Sequence, residues 1–263
     1  MNATAPLPRA VWVLGFVSLL MDVSSEMIHA LLPAYLVVGL GASALVVGVI
    51  EGVAEATALA VRVFSGTLSD ALRHRKWVAA AGYGLAALSK PLFALASGPG
   101  LVFAARFIDR IGKGIRGAPR DALIADVTPE TRRGEAFGLR QSLDTVGAFL
   151  GPLLAMALML AWSGDFPAVF WVAVIPAALS FLLLATAVRE PLPTGTHAPP
   201  VPFSPRAARG LGRAFWWVTA AGAAPLRRGA SEASLMLRAL ALRLAASYTP
   251  PRLAALNGVL YRT

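Results

Sequence analysis

Residues 106–121 read RFIDRIGKGIRGAPRD, and seven of these sixteen positions are charged in a chain that is otherwise strongly apolar. The charged residues are Arg106, Asp109, Arg110, Lys113, Arg116, Arg120 and Asp121. They follow an apolar run that starts at Leu101, after the uncharged turn SGPG. On a helix with about 100° per residue, all seven fall within an arc of about 140°. The pattern therefore predicts a membrane-spanning helix with one charged face, and not a soluble loop between spans.

The composition of the whole chain is that of a membrane protein. Of its 263 residues, 57% are hydrophobic and 14% are charged, whereas about 25% charged residues is usual for soluble domains. The net charge is +10, but the basic residues separate by membrane side, so we expect the lipid bilayer and not nucleic acid as a partner. The chain has no cysteine, which excludes disulfides and thiolate metal sites.

Hydropathy predicts six spans, near residues 11–38, 43–66, 76–97, 101–122, 135–161 and 168–188, each long enough to cross a bilayer. The first is too long for a signal peptide, and we expect it to be retained. Short loops on the cytoplasmic side are enriched in lysine and arginine. Three loops contain none, whereas the alternate loops contain Arg73, Arg75, Lys76, Arg132, Arg133 and Arg189. We therefore expect a multi-pass protein of the plasma membrane with a cytoplasmic N-terminus.

This pattern divides the chain into three regions. Residues 1–189 form the predicted six-helix transmembrane bundle. Residues 190–213, which include PLPTGTHAPPVPFSP, form a predicted cytoplasmic Pro-rich linker. Residues 214–263 contain a predicted partial seventh span that starts near Phe215, followed by an irregular or surface-helical tail interrupted by arginines.

Charged residues inside spans cost about 2.5–3.5 kcal/mol each at mid-bilayer, so their positions are informative. Four spans each present such residues on one face: Asp22, Glu26 and His29 in the first; Glu51 and Glu55 in the second; Arg106, Asp109, Arg110 and Lys113 in the fourth; Arg140 and Asp144 in the fifth. The third contains only Lys90 and the sixth none, so we expect these two to face lipid. Polar-faced spans thus recur with a period of three, as in the 3+3 inverted repeats of secondary transporters.

These residues are predicted to line a wet cavity for substrate and protons. The spacing of Asp109 and Lys113, and of Arg140 and Asp144, predicts two ion pairs along the helices. Arg116, Arg120 and Asp121 are expected to reach the cytoplasmic interface. For each single charged residue, a purely structural ion pair remains the alternative to a substrate or proton site.

Three motifs resemble signatures of the major facilitator superfamily (MFS) of transporters. The segment GTLSDALRHRK at 66–76 is similar to the signature G-x-L-[SA]-D-R-x-G-R-[RK], with Ala71 and Arg73 departing from it. The segment ARFIDRIGKG at 105–114 is similar to R-x-x-Q-G-x-G, with Asp109 and Arg110 in place of Gln and Gly. The segment GAFLGP at 147–152 is similar to the G-x-x-x-G-P signature common in antiporters.

The resemblance implies an all-α membrane protein built on an MFS-type six-helix bundle that moves by alternating access against a second bundle. It implies proton-coupled efflux or antiport, with the proton gradient as driving force and no cofactor. Residues carried over from the motifs are Arg106 for proton coupling or substrate, Gly66, Asp70, Arg75 and Lys76 for the gating loop, and Gly147, Gly151 and Pro152 for helix packing.

Several alternatives remain open at this stage. The substrate is expected to be a small anionic or drug-like molecule. Because the family has two bundles, we expect either a truncated product whose second half is missing or a homodimer. The main alternative function is a membrane fragment without transport activity. An enzyme is not expected, since His29 is the only histidine in a span.

Overall fold

The computed structural model describes residues 6–72 and 74–188. All regular secondary structure in this part of the chain is helical. The helices are α1 (Arg9–Ala34, continued by a π-helical turn Tyr35–Gly39), α2 (Ala44–Leu72), α3 (Arg75–Ala94), α4 (Pro99–Val127), α5 (Arg133–Ala161, preceded by a 3-10 turn Glu130–Arg132) and α6 (Phe166–Ala187). The predicted six-helix, all-α architecture is confirmed. Residue 189, the linker 190–213 and the region 214–263 with its expected seventh span lie outside the described residues.

Local sequence explains where the helices begin. Pro99 lies in the first turn of α4. The backbone N–H groups of a first turn have no hydrogen-bond partner within the helix, so a proline there removes no helical hydrogen bond. Asp165 caps α6, because its side chain accepts a hydrogen bond from the Ala168 N–H at 3.0 Å. Gly41 and Gly164 have φ values of +66° and +91°, a backbone conformation that glycine adopts at little cost.

Two helices are longer than predicted, and this changes the expected gating loop. Helix α2 continues to Leu72, so Gly66 and Asp70 belong to its last turns, and Arg75 begins α3. The segment therefore consists of two helix ends instead of an extended loop; the side chain of Asp70 lies outside the described residues. Helix α4 continues to Val127, five residues beyond the predicted end of the span.

The packing follows a two-fold pattern. Helix α1 packs against α5 and α6, helix α4 packs against α2 and α3, and α3 packs against α6 to join the two sets. If α1, α2 and α3 are exchanged with α4, α5 and α6 in that order, the same pairs of helices remain in contact, as a 3+3 repeat requires. Helices α2 and α5 lie at the two ends of this arrangement.

The apolar core lies between α1, α3, α4 and α6. One cluster includes Phe93 and Phe170, whose rings meet edge to face at 6.5 Å between centroids. The other cluster surrounds Tyr83. Within residues 6–72 and 74–188, four segments have the length and composition of membrane spans: 9–39, 44–66, 130–161 and 166–187. Helices α3 and α4 contain buried charged residues: Lys90, Arg106, Asp109, Arg110, Arg116 and Arg120.

Candidate functional site

The charged residues form two connected groups on the inner faces of the helices. We call the first the His29 cluster; it comprises Glu26, His29, Glu51, Glu55, Lys90, Arg106, Asp109 and Arg110. We call the second the Asp121 cluster; it comprises Arg62, Arg120, Asp121, Arg140 and Asp144. Both groups join residues from at least three helices, so each depends on the tertiary structure.

A buried ion pair between α3 and α4 lies at the base of the His29 cluster. The Lys90 ammonium donates to Asp109 Oδ1 at 2.7 Å and to Ser25 Oγ at 3.0 Å, and Lys90 is fully buried. The third span was expected to face lipid, but the charged residue inside it, Lys90, lies on the side of the helix that faces the other helices. The expected pair between Asp109 and Lys113 is also not formed, because Lys90 approaches the Asp109 carboxylate across the helix interface.

His29 connects α1 to this pair. Its Nε2 atom lies 3.6 Å from Asp109 Oδ2, and its Nδ1 atom lies 3.5 Å from Glu26 Oε1. Arg110 Nη2 lies 3.1 Å from His29 Nε2 and 3.2 Å from His29 Nδ1. The imidazole thus lies between two carboxylates and a guanidinium group, where its tautomer decides which contacts are hydrogen bonds.

Two arginine–glutamate pairs join α4 to α2. Arg106 Nη2 donates to Glu51 Oε2 at 2.5 Å, and Arg110 Nη1 lies 3.1 Å from Glu55 Oε1. Both arginine side chains are buried, whereas the Glu55 side chain is 57% exposed. The spacing of four residues on both helices places the two pairs one turn apart.

The Asp121 cluster gathers three arginines around one carboxylate. Asp121 lies 3.1 Å from Arg120, 3.5 Å from Arg62 and 3.7 Å from Arg140. Arg140 also donates to Asp144, as their spacing predicts. This cluster ties α4 to both α2 and α5, the helices at the two ends of the bundle.

Arg116 and Arg120, which were expected to reach the cytoplasmic interface, are enclosed by the protein itself. Both are buried; the Arg116 guanidinium lies 5.0 Å from the centre of the Tyr83 ring, and Arg120 Nη1 donates to Ser18 Oγ at 2.9 Å. The reason is the length of α4, which continues to Val127 and leaves these residues inside the bundle.

Asp22 and Lys113 lie between the two clusters and have no ion-pair partner within 4.0 Å among residues 6–72 and 74–188. The cations near Asp22 are Arg116, Lys113 and Arg120, and the neighbouring anion is Asp144. Two charged side chains thus face the inner region without a direct partner.

The motif glycines of α5 pack directly on the helix that carries Asp22 and Glu26. A Cβ at Gly147 would lie 2.8 Å from the Leu19 carbonyl oxygen, and one at Gly151 would lie 2.7 Å from Glu26 Cβ. Pro152 follows within the same helix. The absence of side chains there lets α5 approach α1 closely.

The α2–α3 junction is held by contacts with α4 and α6. Arg75 Nη1 donates to Asp126 Oδ2 at 2.5 Å, and Lys76 Nζ donates to the Ala185 carbonyl at 2.8 Å. These contacts connect the start of α3 to the ends of the two helices that pack beside it.

Sequence reasoning missed Lys90 as a member of the site. The available signal was its position as the only charge inside the third span, because an isolated charge in lipid is expensive and needs a partner. Ser18 and Tyr83 were also missed. Their hydroxyl groups give no periodic signal, and only the crossing of α1, α3 and α4 brings them to Arg116 and Arg120.

The sequence profile of the Major Facilitator Superfamily matches residues 14–259. An uncharacterized MFS-type transporter of Methanocaldococcus jannaschii is 34% identical over 190 residues, which cover 72% of this chain and 47% of that protein. Multidrug resistance protein MdtH of Photorhabdus laumondii is 29% identical over 160 residues, covering 61% of this chain and 39% of that protein.

Solved structures show the same fold. A peptide transporter POT in complex with alafosfalin superimposes with a TM-score of 0.65 at 19% identity, over 93% of this chain and 52% of the transporter. The chain spans about half the length of the curated relatives that it matches. The inward charged faces, the two-fold helix arrangement and the profile match lead to one conclusion: this chain belongs to the Major Facilitator Superfamily.

Proposed function

We propose that the protein acts in secondary active transport of a small molecule, by alternating access and in exchange for protons. The observation that carries this proposal is the set of charged residues that α1, α2, α4 and α5 turn toward one another in the His29 and Asp121 clusters. Charges of this kind in spans characteristically mark substrate or ion pathways. Similarity to MdtH, a multidrug resistance protein, supports outward transport of a drug-like compound across the plasma membrane. The excess of basic over acidic residues at 106–121 supports an anionic compound.

Protons are proposed to bind at the carboxylates of α1. Asp22 has no ion-pair partner among the described residues, and Glu26 contacts His29. Arg106 is buried and paired with Glu51. Arg106 is proposed to respond, through the His29 cluster, to the binding and release of protons at Asp22 and Glu26. Helix ends carrying Gly66, Asp70, Arg75 and Lys76 are proposed to close the cytoplasmic side.

A second six-helix bundle is proposed to complete the cavity, supplied by a second copy of the chain or by a separate second half. Glu55 and Arg62 have side-chain exposures of 57% and 60%, and Gln141, Ser142 and Thr145 on α5 are also exposed. Such groups are poorly accommodated by lipid tails. Water or a protein partner at these faces removes that cost.

The test is a flux assay with the full chain in proteoliposomes, using ethidium as the drug-like probe, benzoate as the anionic probe and internal pyranine to report proton movement. We expect probe flux coupled to proton flux, and loss of both in Arg106→Ala because the Glu51 contact is removed. An Arg133→Gln variant, at the start of α5, serves as the charge-matched control. Absence of flux from the assembled parent protein favours an inactive membrane fragment; unchanged flux and pH dependence in Arg106→Ala contradicts the assigned role.

A further inference from the structure

Lys113 has an unusual position for an unpaired charge. It is the middle residue of α4, fourteen residues from both Pro99 and Val127, which places it near the centre of a membrane that the helix crosses. The Lys113 side chain is exposed. No carboxylate of the described residues lies within 4.0 Å of its ammonium group. A lysine at this depth is expensive without a counter-charge.

Two cations and two carboxylates lie near Lys113, so the net positive charge at this point equals that of Lys113 itself. The charged neighbours are Arg110, Arg116, Glu55 and Asp22, and Glu55 is already paired with Arg110 at 3.1 Å. Arg110 and Arg116 lie three residues before and after Lys113, on the same face of α4. Both arginines are buried.

These arginines also retain hydrogen-bond donors that the protein does not use. Arg110 Nε and Arg116 Nη1 are buried and have no hydrogen-bond partner among the described residues, and the same holds for Nε and Nη1 of Arg106. Buried donors are normally satisfied, since an unsatisfied one costs about 1–3 kcal/mol. Guanidinium groups with unpartnered N–H donors, three residues before and after an unpaired lysine on one helix face, are suited to bind an oxygen anion.

The charge count of the inner face agrees with one bound monoanion. Eight basic residues lie on it: Arg62, Lys90, Arg106, Arg110, Lys113, Arg116, Arg120 and Arg140. Seven acidic residues lie on it: Asp22, Glu26, Glu51, Glu55, Asp109, Asp121 and Asp144. With His29 neutral, one positive charge is left over. Lys113 and Arg116 are the two cations of this face without an ion-pair partner among the described residues, and Arg116 already contacts the Tyr83 ring.

From these observations we infer that Lys113 anchors a binding site for the carboxylate group of a small organic substrate, flanked by the guanidinium groups of Arg110 and Arg116. This inference rests on the proposed transport function and narrows its substrate to organic monoanions. Asp22 is the nearby carboxylate without a partner, so its negative charge opposes binding of the anion.

The test measures binding instead of transport, so that its failure is distinguishable from failure of the proposed function. Benzoate is titrated into the purified 263-residue chain in detergent by calorimetry, and benzamide serves as the uncharged compound of the same shape. We expect benzoate to bind at least about tenfold more tightly than benzamide. Lys113→Gln should lose at least about tenfold in benzoate affinity, the value of one charge-assisted hydrogen bond, and Lys113→Arg should retain most of it.

Two further variants separate a local site from general charge effects. Asp22→Asn should increase benzoate affinity, because it removes the opposing negative charge. Arg133→Gln, which removes one positive charge at the start of α5, twenty residues after Lys113 and outside both clusters, should leave the affinity unchanged. Equal binding of benzoate and benzamide, absence of benzoate binding by the parent, or a folded Lys113→Gln variant with parental affinity would each overturn the inference, while coupled flux of ethidium would leave the transport proposal standing.

Discussion

At the scale of single residues, Lys90 determines how the charged network is held together. Its ammonium group is fully buried and contacts Asp109 and Ser25. We expect Lys90→Met to destabilise the bundle by about 3–5 kcal/mol, because it leaves the Asp109 carboxylate buried without its main counter-charge. Thermal unfolding in detergent, followed by circular dichroism, measures the change.

A double variant provides the control for this prediction. Lys90→Met combined with Asp109→Asn removes both charges, and it should recover a large part of the lost stability, since replacing a buried ion pair is less harmful than breaking it. If the single and double variants unfold at the same temperature, the ion pair does not account for the loss.

At the scale of helices, close crossings place the charged faces opposite one another. A Cβ at Gly112 of α4 would lie 2.7 Å from the Gly82 carbonyl oxygen and 2.8 Å from the Ala86 nitrogen of α3. We expect Gly112→Ala to destabilise the bundle by about 1–3 kcal/mol, because backbone atoms cannot move aside without separating the helices. Chemical denaturation in mixed micelles measures this effect.

Gly52 of α2 is the matched control, since no atom lies within 4 Å of a Cβ built there. Gly52→Ala should cause no loss of stability, and alanine is the better helix former. Equal destabilisation by both substitutions would show that the α3–α4 crossing is not the cause.

At the scale of the whole molecule, the distribution of lysine and arginine predicts the orientation in the membrane. The chain has no cysteine, so single cysteines report sidedness directly. Ser97→Cys lies in the turn between α3 and α4, and Glu130→Cys lies between α4 and α5; both positions are exposed. In intact cells, a membrane-impermeant maleimide should label the first variant and not the second.

Permeabilised cells provide the control, because both variants should then react. Labelling of Glu130→Cys alone in intact cells would mean that the N-terminus lies on the opposite side from the one expected.

The existence of six helices, their order and their polar faces follow from the sequence because these properties are local. Apolar length sets the number of spans, and the helical repeat alone places Glu51 with Glu55 and Arg106 with Arg110 on common faces. Even so, the predicted spans of α2 and α4 end at residues 66 and 122, whereas the helices continue to Leu72 and Val127, since the apolar length that sets a span does not set the end of the helix.

The partners of the charges were decided only in the tertiary structure. Sequence spacing predicted that Asp109 pairs with Lys113, but Lys90 from α3 reaches Asp109 at 2.7 Å and leaves Lys113 unpaired. Such pairs depend on the register and crossing angle of two helices, which are set by the fit of small residues such as Gly82 and Gly112 at one contact. A periodic pattern along one helix contains no information about that register, and for this reason the residue that we propose as the anion anchor became apparent only when the helices were packed together.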